Sequence, residues 1–330
     1  MIRRALWLTM ALMPFTLYAQ ASKAGQAGAT FLSLPYSVRG ASMGNAFIIS
    51  SDYQDPSLIF HNPAGMAVVA DRMLYAMAGN WMGSYPFAIS YVSPAKNGVL
   101  GAFISGIYVG GIESYGFDQN DNVVYLGEVS YLATQLGFGY ATFLTDKFMV
   151  GGNLKLIYEG YGGYSMAYSV AADVGTFYYT GYKDFTIGTS IKHFGFDSKL
   201  SGTYIRYQYT NTMTDTTVAY SSYKLPTVFG LSAFGTVYSN SVSKLKVVLE
   251  MSHPVDNIES YNVGFEYSIL NMVFIRGGYR FFRDSQEAVG GPSGFSLGFG
   301  ILYGKFGLDY AYLNRGLLPP ASLISIIYRF

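Results

Sequence analysis

Chemistry in this chain has few carriers. Cysteine is absent, which removes disulfides, thiolate metal sites and cysteine nucleophiles. The three histidines, His61, His193 and His253, lie far apart and lack the spacing of a zinc site. Serine is plentiful, yet no G-x-S-x-G elbow occurs, and His253 near Asp256 is the one His–acid pairing along the chain. The run Phe117-Asp118-Gln119-Asn120-Asp121-Asn122 lacks the glycine at the sixth position and the acid at the twelfth, here Val129, that a calcium loop needs. These residues predict no enzyme, no catalytic residue, no metal and no cofactor. A net charge of +1 without a Lys/Arg-rich run likewise predicts no nucleic-acid partner.

What remains able to interact strongly is a set of charges sharing one parity. Lys155, Lys192, Lys246, Arg276, Arg280 and Arg329 are matched by Glu159, Asp173, Glu250, Glu266 and Asp309. Six cations against five anions suit a paired network that braces an interior better than a single-sign ring that selects ions. Charges that all point one way along extended chain require strands to carry them.

The rest of the sequence supplies those strands. Only 12% of the 330 residues are Asp, Glu, Lys or Arg, about half the share in a soluble globular domain. Half are apolar and 17% aromatic, which excludes disorder. After residue 20 no stretch approaches the roughly 18 consecutive apolar residues of a spanning helix. Apolar side chains alternate instead with small or polar ones. Over residues 148–159, Phe148, Val150, Leu154, Leu156 and Tyr158 lie opposite Met149, Gly151, Asn153, Lys155, Ile157 and Glu159. Segments of about ten residues with this period are what a membrane-spanning barrel needs. The outward face of a soluble sandwich would carry charges.

About fourteen such segments occur, near 73–80, 85–92, 99–108, 131–143, 148–159, 165–178, 185–194, 227–238, 244–252, 259–268, 272–281, 294–303, 305–313 and 322–330. Connections after even-numbered segments are tight, as at Asp146-Lys147, whereas those at 109–130, 195–226 and 282–293 are long. Short turns on one rim and long loops on the other predict an all-β, antiparallel transmembrane barrel in an outer membrane of Gram-negative type, its lipid the first partner. An even count leaves both termini on the periplasmic side. The final segment ends in alternating apolar residues with Tyr328 and Phe330, the form of signal that barrel assembly machinery reads.

Residues 1–21 read as a secretory signal peptide: Arg3-Arg4, an apolar run, then Ala19-Gln20-Ala21. Residues 22–72 lack sustained alternation and precede the first strand, so they are the natural plug for residues 73–330, a barrel too wide to close with its own side chains. The tyrosine-rich stretch 195–226 either binds a partner or extends a hairpin above the membrane.

The segments Ala27-Gly28-Ala29-Thr30-Phe31-Leu32, Ser37-Val38-Arg39-Gly40-Ala41-Ser42-Met43-Gly44-Asn45-Ala46-Phe47 and His61-Asn62-Pro63-Ala64-Gly65-Met66 resemble the N-terminal region of the PorV/PorQ family, which is related to the FadL long-chain fatty-acid transporters. His253-Pro254-Val255-Asp256-Asn257 and Arg276-Gly277-Gly278-Tyr279-Arg280 are similar to that family's late strands. The resemblance implies a FadL-like barrel of about fourteen strands with an N-terminal hatch. It places Phe31, Leu32, Arg39, Met43, Phe47, Asn62, Pro63, Ala64, Gly65 and Met66 in that hatch as possible ligand contacts. It leads first to a type IX secretion-associated component that docks secretion subunits or cargo. A FadL-like transporter of hydrophobic molecules such as fatty acids, and a structural barrel without ligand, are the alternatives. An apolar pocket between loops and hatch would favour transport; a sealed barrel with exposed aromatic loops would favour docking.

Overall fold

The computed structural model describes residues 25–50, 52–118, 122–210, 212–282 and 294–330. The leader expected over 1–21, Ser51, the centre of the loop after Phe117 and most of the connection after Phe282 lie outside those ranges. The first seven strands are β1 (Met73–Asn80), β2 (Tyr85–Ala95), β3 (Gly98–Phe117), β4 (Val123–Thr145), β5 (Phe148–Tyr161), β6 (Ser165–Tyr179) and β7 (Thr186–Gly195). A separate hairpin, β8 (Thr203–Thr210) with β9 (Thr212–Ala219), follows. The wall resumes with β10 (Val228–Ser239), β11 (Ser243–Pro254), β12 (Ser260–Ile269), β13 (Val273–Phe282), β14 (Phe295–Tyr303), β15 (Phe306–Arg315) and β16 (Leu318–Arg329).

Fourteen of these strands close into one antiparallel barrel in which chain neighbours pair, β10 follows β7, and β16 returns to β1 with Met73 opposite Arg329. Closure leaves no free strand edge, which a membrane requires. The period of two explains the two faces. Leu100, Ile104, Leu154, Leu156, Phe299, Ile301, Ile324 and Ile326 stand exposed on the outside. Gly151, Asn153, Lys155, Ile157 and Glu159 alternate inward along β5.

Each expected segment has its strand, with two extensions. β3 and β4 run on as a paired ribbon to Phe117 and from Val123, where the sequence predicts a loop over 109–130. Consecutive glycines at Gly110-Gly111 hide the continuation, because they break the alternation; Gly111 takes φ 68° and the register shifts there. The stretch 195–226 contains the β8–β9 hairpin. The long-loop rim is also uneven, since β1–β2, β5–β6 and β15–β16 are joined there by short turns.

Much of the described part of residues 25–72 packs against inward-facing residues of the wall. A 3-10 turn (Thr30–Ser33), a helix (Val38–Ser42), a second helix (Leu58–His61) and a 3-10 stretch (Pro63–Val68) form this N-terminal segment. Val38, Ala41, Tyr53, Ile59 and Met66 pack with Met73, Tyr75, Val92, Phe103 and Phe274 of the wall. Met43, Ala46, Phe47, Ile48 and Leu58 pack with Met149, Phe177, Phe234 and Val248. Glycine rows on the wall receive the segment's backbone. A Cβ at Gly278 would land on Met43 and Gly44, one at Gly151 on Pro63 and Ala64, and one at Gly175 on the Asn62 side chain. Gly44 itself needs its identity, with φ 72° and an added Cβ 3.0 Å from the Tyr279 backbone.

Replacing Gly151 with Val therefore forces Pro63–Ala64 off the wall while suiting the strand. The barrel is expected to retain its heat-modifiable gel mobility, whereas limited proteolysis cuts the N-terminal segment faster than in the native chain. Equal cleavage rates would contradict the seating.

Candidate functional site

The interior is organised by a buried ionic cluster. Arg39, on the Val38–Ser42 helix and 1% exposed, grips Glu266 of β12 with two hydrogen bonds, Nε to Oε2 and Nη2 to Oε1, both 2.7 Å. Arg276, the register partner of Glu266 on β13, donates from Nε to the same carboxylate at 2.7 Å. Its Nη1 donates to Asp309 of β15, which also accepts from the Tyr53 hydroxyl. Gly300 on the intervening strand makes that reach possible, since a Cβ there would meet both Asp309 and Arg276. The Tyr53 ring lies 4.6 Å from the Arg39 guanidinium and 5.0 Å from that of Arg276. Two cations and two anions balance. Burial, opposed by the charge of Arg39, raises the nearby Asp55 carboxyl above the ordinary Asp range.

A second cluster joins Lys155, Asp173 and His193. The Lys155 ammonium donates to both Asp173 oxygens at 2.6 and 2.9 Å and lies 2.6 Å from His193 Nδ1. Strict alternation would send His193 outward beside inward-facing Lys192. A β6–β7 irregularity at Ala172/Val174, with His193 at φ 60°, buries it instead. Period-two reading cannot see such a bulge, which is why this histidine escaped it. His61 Nε2 meets Glu250 at 2.9 Å, and His253 pairs with Glu259 at 2.9 Å rather than with its sequence neighbour Asp256. Glu159 accepts from Tyr131 at 2.8 Å and from Tyr223 at 2.5 Å.

At the tight-turn rim Asp52 bridges Lys244 at 2.8 Å and Lys246 at 3.6 Å, and Lys246 also donates to Ser50 Oγ at 2.5 Å. Lys244 shares the parity of Lys246 and was legible by that signal alone. Arg329 lies 3.5 Å from Asp71 at the same rim. Tyr328 and Phe330 stack edge-on at 4.9 Å.

Cavities lie on both sides of the N-terminal segment. At the long-loop rim a space of about 510 Å³ is enclosed by Pro35, Trp81, Phe282, Phe295, Leu313 and Leu318, with Arg280 and Arg315. Arg315 stacks 4.3 Å from the Trp81 ring and Arg280 4.7 Å from Phe282. Among the described residues Arg280 Nε and Arg315 Nη1 find no hydrogen-bond partner. A smaller space of about 180 Å³ shares Ser33, Pro35, Asn45, Arg280 and Phe282 with it and reaches His61, Lys192 and His193. At the tight-turn rim a third, of about 590 Å³, is lined by Ile49, Asp52, Asp184, Phe234, Lys244 and Lys246.

The hatch residues singled out in the sequence divide accordingly. Leu32 lines the smaller upper cavity. Phe31, Arg39, Met43, Phe47, Pro63, Ala64, Gly65 and Met66 are packed into the interior and line none of the three spaces. Asn62 is a clamp: its amide donates to Thr189 O at 2.9 Å and its Oδ1 accepts from Ala64 N at 3.1 Å. The cavity-lining Trp81, Phe282, Phe295 and Arg315 carry no sequence signal, because their role depends on how the segment sits beneath them.

No protein-family model matches the sequence, and no curated protein matches it. Solved structures do. The Pseudomonas putida toluene transporter TodX is similar with a TM-score of 0.55 at 12% identity, over 88% of this chain and 96% of that one. A Pseudomonas aeruginosa FadL homologue gives 0.54 at 12% identity, over 89% and 98%. The CymD monoaromatic hydrocarbon channel gives 0.57 at 12% identity, over 89% and 97%. The fold is the FadL-like fourteen-stranded barrel.

Arg39→Ala would leave Glu266 buried with half its partners, and unfolding in urea from detergent micelles should show a loss of about 3–5 kcal/mol. Asp52 titrates differently from a free carboxylate. Burial alone would raise it, but the hydrogen bond from Lys244 and the charges of Lys244 and Lys246 outweigh burial and hold it below the usual range. Its ion pairs are therefore intact above the ordinary Asp value of about 3.9 and are lost only as pH falls below it. Infrared difference spectra of the native chain against Asp52→Asn should show the carboxylate band persisting to that point.

Proposed function

We propose that this chain is a FadL-like outer-membrane channel for hydrophobic small molecules, with residues 25–72 acting as its hatch. The observation that carries the reading is the apolar cavity of about 510 Å³ between the long-loop rim and the N-terminal segment. Concave, mostly apolar sites with a few oriented polar groups are where such ligands bind. Leaving water for that space is favourable by about 25 cal/mol per Å² of apolar surface. The N–H groups of Arg280 and Arg315, without a partner among the described residues, would orient a ligand's polar end. The toluene transporter, FadL homologue and monoaromatic hydrocarbon channel that share the fold support this reading over secretion docking. The exposed aliphatic belt suits outer-membrane lipid, the tight-turn rim the periplasm, and the Tyr328–Phe330 end recognition by assembly machinery.

Docking of a secretion subunit or cargo is the second reading. It draws on the β3–β4 ribbon, which exposes Tyr115, Phe117, Val123, Tyr125 and Leu126.

Cells lacking their own hydrophobic uptake route and expressing this barrel should take up tritiated decanoate or toluene above the empty-vector rate. Leu313→Lys, which adds a third cation to the cavity, should cut that uptake roughly tenfold, about 1.4 kcal/mol of lost binding. Uptake no better than vector, with a secretion protein co-purifying stoichiometrically, would replace transport with docking.

A further inference from the structure

The larger upper cavity carries two cations, Arg280 and Arg315, and none of its described lining residues is an Asp or a Glu. Deeper in the lumen the guanidiniums are matched, since Arg39 and Arg276 share Glu266 and Asp309. A cation among apolar groups is costly until an anion meets it. Glu250, Asn262 and Arg280 follow one another across β11, β12 and β13, but Glu250 already bonds His61 at 2.9 Å. Asp256 lines the smaller space and not the larger one. Both amide atoms of Asn262, which is 2% exposed, find no partner among the described residues.

The two guanidiniums are held apart. Arg280 N donates to Gly294 O at 2.8 Å, and Gly294 N donates to Asn314 O at 3.2 Å. This row runs from β13, past the residue before β14, to β15, so two strand spacings separate Arg280 from the main chain beside Arg315, about 10 Å. Phe295, the first residue of β14, lines the cavity between them. The side chains then turn to different rings. Arg280 stacks on Phe282 of its own strand, whereas Arg315 reaches past β16 to Trp81 on the β1–β2 turn. Stacking fixes a guanidinium plane and leaves its edge N–H groups pointing out of the stack. Arg280 Nε and Arg315 Nη1 are such groups, buried and unmatched among the described residues.

Building on the channel reading above, we infer that this cavity selects a diacid with an apolar body, one carboxylate at Arg280 and the other at Arg315. The apolar middle of the ligand lies along Phe295, Leu313 and Leu318. A compact dianion such as phosphate does not span two guanidiniums with Phe295 between them. A monoacid answers one of them, and a neutral hydrocarbon answers neither. Asn262, across the ladder from Arg280, adds an unmatched amide at that end.

Trp81 is the reporter. The chain has two tryptophans, and Trp7 lies in the expected leader, so emission from the processed barrel in lipid nanodiscs reads the cavity at Arg315. Titrations compare decanedioate, decanoate and decanol, which share a chain length. Decanedioate should bind about tenfold more tightly than decanoate. Two fixed anchors also impose a length, so affinity from hexanedioate to tetradecanedioate should pass through a maximum, whereas monoacids should tighten steadily with chain length. Arg280→Gln and Arg315→Gln should each bring decanedioate down to the decanoate level. Decanoate can turn to whichever guanidinium remains, and should lose only about half its affinity. Heat-modifiable mobility confirms that each variant is a folded barrel. Decanoate and decanol binding with decanedioate no tighter, or a diacid advantage that survives both substitutions, would overturn the diacid inference and leave the channel reading intact. Failure of all three probes to bind, with decanoate uptake at the vector rate, would remove both.

Discussion

A ring of fourteen strands is wider than its own side chains can fill, and the interior of this protein is the answer to that constraint. The N-terminal segment packs against the inner face, and Arg39 is its most deeply buried ionic tie to the wall. Its two hydrogen bonds to Glu266 reach Arg276, Asp309 and Tyr53, so one helix, three strands and the loop around Tyr53 share a single buried cluster. Removing any member strands the others' charges away from water, which makes the cluster a strict specification of how the segment sits. The placement of Pro35, Ala41 and Asn45 beneath the upper cavities follows from that seat.

Glycine is the complementary device. On most strands it weakens packing, but on this inner wall it is what allows main chain to lie against main chain. Gly278 and Gly151 do so at opposite sides of the lumen, under Met43–Gly44 and Pro63–Ala64. The apolar clusters around Met43 and around Met66 then exclude water from the middle of the barrel.

Much of this was legible in the amino-acid order. Strand positions and inward parity follow from the period of two, because lipid on one side and a filled lumen on the other penalise any slip. Glu266, Arg276 and Asp309 could be placed on one interior by parity alone. Their joining to Arg39 could not, since it depends on the fold of a segment with no period. His193 was hidden by a bulge, and the β3–β4 ribbon by paired glycines. The cavity residues Trp81, on the β1–β2 turn, and Arg315, at the end of β15, lie at opposite ends of the chain's strand series and meet only because β16 closes on β1. Closure is a property of the whole chain, and no local pattern records it.

The Arg39–Glu266 contact spans 227 positions, and the glycine seats lie on both early and late strands. That separation has a consequence for biogenesis. The segment that emerges first must wait for β12 to β15, nearly the last to arrive, before its guanidinium has a partner. A barrel that sealed β1 to β16 ahead of it would trap an unpaired cation and an empty lumen. The order of events is therefore constrained: filling must accompany closure, because the two ends of the chain supply the two halves of one buried cluster.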